Sequence, residues 1–281
     1  MVLFVCVLLG TASSAFAQVT VYTDEAAYLA DLAGLGLITF QEGFEAEPPW
    51  DPVRTTNPLS PVTAPSITSQ GIAWTSNHPD VAGSEITTSD GAAHEGYWGL
   101  YSYPHGDPTV KGAGLDCTET PAPAGCFKHD GVVGTRQAGA SALYGVAGWA
   151  RGTPGGKLIL ILDGDEANPV NFGDSGILSN TFRFFGVIDA AGFTKFEFRE
   201  TEGVVGDEKF VFVDTFTFGV VQIDGDIDSD GDVDVSDAVS TLRIVAGMIP
   251  DVANVKADLN GDGRIGMEEA AFILQKISRV R

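Results

Sequence analysis

Between Gln18 and Gly219, apolar residues recur at helical spacing only in DEAAYLADLAGLG, which predicts one short helix near the start of an otherwise non-helical stretch. The other apolar segments are short, rich in β-branched and aromatic residues, and bounded by Gly, Pro, Asn or Asp. KLILILDG is a continuous apolar run, as a strand covered on both faces requires. KFEFRE alternates, with Phe196 and Phe198 on one face and Lys195, Glu197 and Arg199 on the other, the pattern of a half-exposed strand. A period of two in FVFVDTFTFG sets Phe210, Phe212, Phe216 and Phe218 on one side. With TFRFFGVI and SALYGVAGWA, these runs predict a mainly β body, an antiparallel β-sandwich.

After Gly219 the pattern changes. SDAVSTLRIVAG places Ala238, Leu242 and Val245 on one helical stripe and ends at Gly247, and EEAAFILQKI is a second helical run. Ahead of the first lies DIDSDGDVDVSD, acidic at nearly every second position with no cation among the acids. Like charges this close repel by roughly 1 kcal/mol per neighbouring pair even in water, so the segment is either solvated or built around a cation. It fits a calcium loop: Asp226, Asp228 and Asp230 at positions 1, 3 and 5, Gly231 at 6, the carbonyl of Asp232 at 7, Asp234 at 9 and Asp237 at 12. DLNGDGRIGMEE repeats the fit 32 residues on, with Asp258, Asn260 and Asp262 at 1, 3 and 5, Gly263 at 6, the carbonyl of Arg264 at 7, and Glu269 at 12. Val233 and Ile265 share position 8, where two such loops can pair. The expected cofactor is calcium, two ions, filling loops that are hard to close without them.

An ordinary EF-hand has a helix leading into each loop, but here the first loop follows FTFGVVQIDG, a strand and short linker. Loop plus exit helix, twice, resembles the type I dockerin module, and GDIDSDGDVDVSDAVSTLRIVAG and ADLNGDGRIGMEEAAFILQKI carry that resemblance over residues 224–281. It implies a structural calcium module and, as partner, a cohesin-like protein. Dockerins that engage cohesins commonly have Ser or Thr at loop positions 10 and 11. Here those positions hold Val235 and Ser236, then Met267 and Glu268. The body, through VTVYTDEAAYLADL, ITFQEGF, GIAW, RFFGVIDAAGFTKFEF and FVDTFTFG, resembles the jelly-roll domains of exported bacterial surface proteins, some of them lectin-like. This implies a jelly-roll-like fold and an exported protein; a glycan or cell-surface component is the expected ligand. The expected organisation is a signal peptide over 1–17, a β-sandwich over 18–219, a linker at 220–223 and the calcium module over 224–281.

Composition narrows the partners. The 281 residues are 44% hydrophobic and 19% charged, enough for a sizeable core, and the net charge of −22 disfavours nucleic acid and anionic membranes. The opening MVLFVCVLLGTASSAFAQ joins an apolar run to an Ala15-Phe16-Ala17 cleavage pattern, so a secreted or cell-surface bacterial protein is expected, its mature part not inserted in a membrane. Cys6 would leave with that segment. Cys117 and Cys126, flanking TETPAPAG, are then expected to form a local disulfide.

Two features of the body bear on chemistry. Read as a strand, EGYWGLYSYPHG sets Tyr97, Tyr101 and Tyr103 on one face and Trp98 and Leu100 on the other; the tyrosines are either a platform for a glycan or packing between sheets. His94 and the GDSG at 173–176 echo a serine protease, but short fragments do not make a triad, and GDSG reads as a turn. Asp163, Asp165 and Glu166 are the positional candidates for glycosidase acids. The sequence favours a non-catalytic protein, with a dockerin-borne glycan hydrolase and a purely structural surface component as alternatives.

Overall fold

The computed structural model describes residues 19–57, 61–78, 85–102, 131–152, 154–201, 211–228, 232–248, 257–259 and 264–278. The expected signal peptide and the Cys117–Cys126 pair lie outside the described residues.

The strands, in chain order, are β1 (Thr20–Tyr22), β2 (Ile38–Glu42), β3 (Arg54–Thr55), β4 (Ser66–Ser69), β5 (Ile72–Ser76), β6 (Ile86–Ser89), β7 (Gly99–Ser102), β8 (Gly131–Arg136), β9 (Leu143–Gly152), β10 (Lys157–Leu162), β11 (Val170–Asn171), β12 (Arg183–Phe193), β13 (Lys195–Thr201) and β14 (Val211–Val220). They form two sheets. The larger runs β1-β12-β9-β14-β7-β6-β3, with β2 also on β14, and the smaller runs β11-β10-β13-β8-β5-β4. Pairing is antiparallel except between β3 and β6, which run parallel and correct the all-antiparallel expectation.

The sheets pack face to face through aromatic rings. Phe216 of β14 lies 5.1 Å from Trp74 of β5 and 5.0 Å from Phe198 of β13, mostly edge to face, and Phe44 and Trp50 close one end of the layer. Such tilted contacts set the positive ring edge against the negative face. The predicted helix is α1 (Glu25–Gly34), started by Asp24, whose side chain accepts the Ala27 N–H. It lays Tyr28 and Leu32 on the outer face of the larger sheet against Ala147, Phe184 and Ile188, and the Tyr28 hydroxyl donates to the Thr217 carbonyl at 3.0 Å.

The single-sided reading of FVFVDTFTFG is overturned. β14 shifts register against β9 between Asp214 and Thr217, and Thr215 adopts a φ of 48°. One extra residue in a strand reverses the parity of everything beyond it. Phe216 and Phe218 therefore point into the core, while Phe212 sits on the outer face beside Tyr101 and Arg151. Phe210 lies outside the described residues.

Beyond Val220 the chain forms a small helical unit with α2 (Val235–Val245) and α3 (Met267–Ser278). Its own core is Ile227, Ala238, Ala257, Ile265 and Ile273, with Val233, Ile244 and Ile277 against it. The stripe expected on α2 is corrected: Ala238 is buried, but Leu242 and Val245 are each 45% exposed. The inward face of α2 is Asp237, Ala238 and Thr241. No helix among the described residues is long and apolar enough to cross a membrane.

Candidate functional site

In the helical unit, the residue at loop position 12 organises each repeat. Asp237 is fully buried; its Oδ1 accepts the N–H groups of Ile227 at 2.6 Å and Asp228 at 3.3 Å, and its Oδ2 accepts that of Asp234 at 2.8 Å. Glu269, also fully buried, does the same in the second repeat: Oε1 accepts from Leu259 at 3.3 Å and Oε2 from Gly266 at 2.6 Å. Each acid thus ties positions 2 and 9 of its own loop to the first turn of the exit helix. Asp234 caps α2 and completes a reciprocal capping box with Asp237.

These contacts draw the carboxylates together. Oxygens of Asp226, Asp228 and Asp237 all lie within 4.8 Å of one another, and so do those of Asp232, Asp234 and Asp237. Asp226 is fully buried. A converging set of anionic oxygens without nitrogen or sulfur donors suits a hard divalent cation such as calcium. In the second repeat Asp258 is half-buried and Arg264 exposed, whereas Asp230, Asn260 and Asp262 lie outside the described residues.

The tyrosines of the body separate. Among the described residues of this segment only Gly99–Ser102 is a strand, so Tyr97 and Trp98 belong to the preceding turn, and Tyr103 lies outside the described residues. Tyr101 is on the outer face but only 8% exposed, with its ring 5.2 Å from Phe212, and so is no open platform. Tyr97 is 55% exposed and lies edge-on to Trp98, over which the Arg54 guanidinium sits at 4.7 Å. Glu45 fixes this turn by accepting the N–H groups of Tyr97 and Trp98, both at 2.6 Å. Gly96, at a φ of +66°, admits that carboxylate; a Cβ there would stand 2.5 Å from its oxygen. The Tyr97 hydroxyl reaches Asp90 at 3.4 Å.

A cluster that the sequence did not signal lies on the outer face of the larger sheet. Asp214, fully buried at the bulge of β14, accepts the N–H groups of His94 at 2.6 Å and Glu95 at 2.9 Å with one oxygen and that of Thr215 with the other. The His94 ring stacks on Trp149 at 4.0 Å. Arg151 spans Phe212 and Phe182 and donates to the Gly91 carbonyl. Burial pushes the Asp214 carboxyl up to about 6 from 3.8, against the lowering effect of its N–H donors. Because the folded value is the raised one, Asp214 favours folding when protonated, fully below about pH 4, and this contribution is lost as pH rises through about 6. Its share is ~2–3 kcal/mol. Asp214→Asn should therefore flatten the pH dependence of urea unfolding between pH 4 and 6. It should also lower stability throughout, since one amide cannot accept all three N–H groups.

The acids considered for glycosidase chemistry have local duties. Asp163 accepts the N–H groups of Thr194 and Lys195 at 2.8 and 3.0 Å, Asp165 those of Ala167 and the Asn168 amide, and Glu166 pairs with Arg199 at 3.0 Å. Gly173–Gly176, the GDSG, is a short 3-10 turn.

No protein-family model matches the chain, and no curated protein matches it. Among solved structures, the K1 cleaved adhesin domain of Lys-gingipain from Porphyromonas gingivalis is 14% identical over 64% of this chain and 97% of its own, with a TM-score of 0.36. The K2 cleaved adhesin domain of Lys-gingipain is 15% identical over 64% of this chain and 99% of its own, TM-score 0.34. TmCBM61, solved with β-1,4-galactotriose, is 9% identical over 52% and 86%, TM-score 0.29.

Proposed function

We propose that the chain is an exported calcium-binding protein. Its β-sandwich takes a glycan or other cell-surface ligand, and its dockerin-like C-terminal module holds two calcium ions and docks onto a protein partner of cohesin-like kind. The observation that carries this reading is the duplicated role of Asp237 and Glu269, each buried and each bonded to positions 2 and 9 of its own loop. A solvated acidic linker has no reason to repeat that arrangement at a fixed interval of 32 residues. Asp226, Asp228, Asp230, Asp234, Asp237 and the Asp232 carbonyl would hold one ion. Asp258, Asn260, Asp262, Glu269 and the Arg264 carbonyl would hold the other. Calcium supplies positive charge to acids that otherwise repel, so binding energy becomes folding energy.

Exposed apolar residues support docking. Val235, Val239 and Leu242 are 60%, 47% and 45% exposed along α2; Met267 and Leu274, 32 residues after Val235 and Leu242, are 57% and 52% exposed along α3. Single exposed apolar residues mean little, but stripes repeated on two helices suit a partner surface. For the sandwich, Tyr97 with its neighbours Asp90 and Glu45 combines an open ring with hydrogen-bonding edges, which suits a sugar.

Calorimetric titration of the chelated full chain should show two calcium equivalents, with Asp226→Ala and Asp258→Ala each losing one; absence of binding heat would sink the calcium reading. On a printed glycan array, Tyr97→Ala should lower the signal of any ligand found by about 5- to 30-fold at matched concentration. Unchanged binding would move the ligand site elsewhere on the body.

A further inference from the structure

Helix α1 covers only part of the outer face of the larger sheet. Along β9 the pleat turns Gly145, Ala147, Trp149 and Arg151 outward, and Tyr28 and Leu32 of α1 pack on the first two. Trp149 touches the edge of that cluster, and Arg151 follows one pleat further on. His94 and Phe182 join these two, and all four are half-buried. The His94 ring lies flat on Trp149, and Phe182 tilts against His94 at 5.4 Å. The Arg151 guanidinium carbon lies 4.3 Å from the centre of the Phe212 ring and 5.3 Å from that of Phe182. The result is a patch of rings with a cation set among them.

Arg151 is not neutralised as other arginines of the sandwich are. Arg54 reaches Asp51 and Arg199 pairs with Glu197 and Glu166, whereas no carboxylate among the described residues pairs with Arg151. Burial lowers its pKa with no acid opposing the effect, while acids counter the same effect at Arg54 and outweigh it at Arg199. One N–H group goes to the Gly91 carbonyl, and the rest of its five find no partner among the described residues. Two acids of the neighbourhood are engaged elsewhere. Asp214 is taken up by the N–H groups of His94, Glu95 and Thr215, and Asp90 meets the Tyr97 hydroxyl.

A partly desolvated cation without an anion is costly, and ring faces offset only part of that cost. They also hold the guanidinium plane, so its fork is oriented before a ligand arrives and little entropy is lost on binding. A carboxylate is the group that this fork takes in two parallel hydrogen bonds. Rings beside it suit the C–H face of a sugar. Both demands are met by a pyranose that carries a carboxylate. A polyanion is disfavoured, because Glu95 is exposed on the same loop and the chain has a net charge of −22.

We propose that this patch is a second ligand site of the sandwich, a subsite for a single uronic acid residue of a glycan, with Arg151 taking the carboxylate and His94 and Phe182 the sugar ring. The inference rests on the glycan reading given above and adds to it a charge preference that Tyr97 does not supply. The two sites lie on different sides of one turn: the Gly91 carbonyl faces Arg151, and the Asp90 side chain faces Tyr97.

The test is a printed array of oligosaccharides ending in one glucuronic acid, their methyl esters, neutral oligosaccharides and polyglutamate, probed with the full chain. The acids should bind about 10- to 100-fold more tightly than their esters. Arg151→Gln should erase that preference and keep ester binding, Arg151→Lys should retain part of it, and Tyr97→Ala should leave it unchanged. Raising sodium chloride from about 0.05 to about 0.5 M should weaken the acids and not the esters. All four tryptophans, Trp50, Trp74, Trp98 and Trp149, lie in the sandwich, so their fluorescence reports whether a variant is folded. Equal binding of acid and ester overturns the uronate subsite and leaves the glycan reading standing. If no glycan binds, both fall. Polyglutamate bound as well as the acids makes the patch a reader of any carboxylate and overturns the sugar. A preference that survives Arg151→Gln lies elsewhere on the body. Should Arg151→Gln fail to fold, salt and Arg151→Lys decide: a preference that neither weakens is not an ion pair at Arg151 and overturns the assignment.

Discussion

The Asp237→Ala chain is expected to lose the far-UV helical signal of α2 and α3, even in millimolar calcium. Asp237 is fully buried and accepts the N–H groups of Ile227, Asp228 and Asp234. Alanine leaves those donors without the carboxylate, at ~1–3 kcal/mol for each one that stays buried. It also removes half of the capping box on α2, about another 1 kcal/mol. The total rivals the roughly 3–8 kcal/mol that a unit of this size has in all. Asp237→Glu is the control, because Glu269 fills the same position in the sister repeat and makes the matching bonds. Circular dichroism at matched calcium should show helix in the glutamate variant and not in the alanine one. Equal helix in both would show that Asp237 does not organise the loop and helix.

The second large effect lies in the sandwich. Phe216→Ala should cost the body ~3–5 kcal/mol in urea unfolding followed by tryptophan fluorescence. Phe216 is fully buried and touches rings from both sheets, with Trp74 at 5.1 Å, Phe198 at 5.0 Å, Phe196 at 5.8 Å and Phe44 at 6.1 Å. These neighbours are held by their own strands and cannot collapse into the space, so most of the cavity persists. Phe212→Ala, four residues earlier but half-buried on the outer face, should cost clearly less. Similar losses for the two would contradict the reversal of β14 at its bulge.

That reversal also marks where sequence reading stopped. Strict alternation in KFEFRE gave the inward face of β13 correctly, because nothing interrupts the pleat between Lys195 and Thr201, but the half-exposed outer face is corrected, since Glu197 there is only 6% exposed. In β14 the interruption is a conformational event at Thr215, a residue type that rarely takes a positive φ, and no composition announces it. The inner face of α2 was missed for a different reason. Hydrophobicity pointed to Leu242 and Val245, whereas the helix is turned by its third residue, Asp237, which must point inward to reach its own loop. That signal was present in the spacing of the two loops, since Ala270 and Ile273 follow Glu269 inward just as Ala238 and Thr241 follow Asp237. The environment of Asp214 and His94 depends on contacts 120 residues apart and left no local trace.

The order of the strands has a consequence for how the chain acquires its structure. β14 is the last described strand in sequence yet occupies the middle of the larger sheet, with β9 along one edge and β7 and β2 sharing the other. Until residues 211–220 arrive, the earlier strands of that sheet have no common partner and present open edges. Closure then depends on pairings between distant parts of the chain, which are slow to form because loop entropy is lost before contacts compensate. A polypeptide emerging from its N-terminus, at a ribosome or through a pore, therefore stays without a finished core until nearly all of the body has passed. The segment that completes it is tied, four residues later, to the acidic loops.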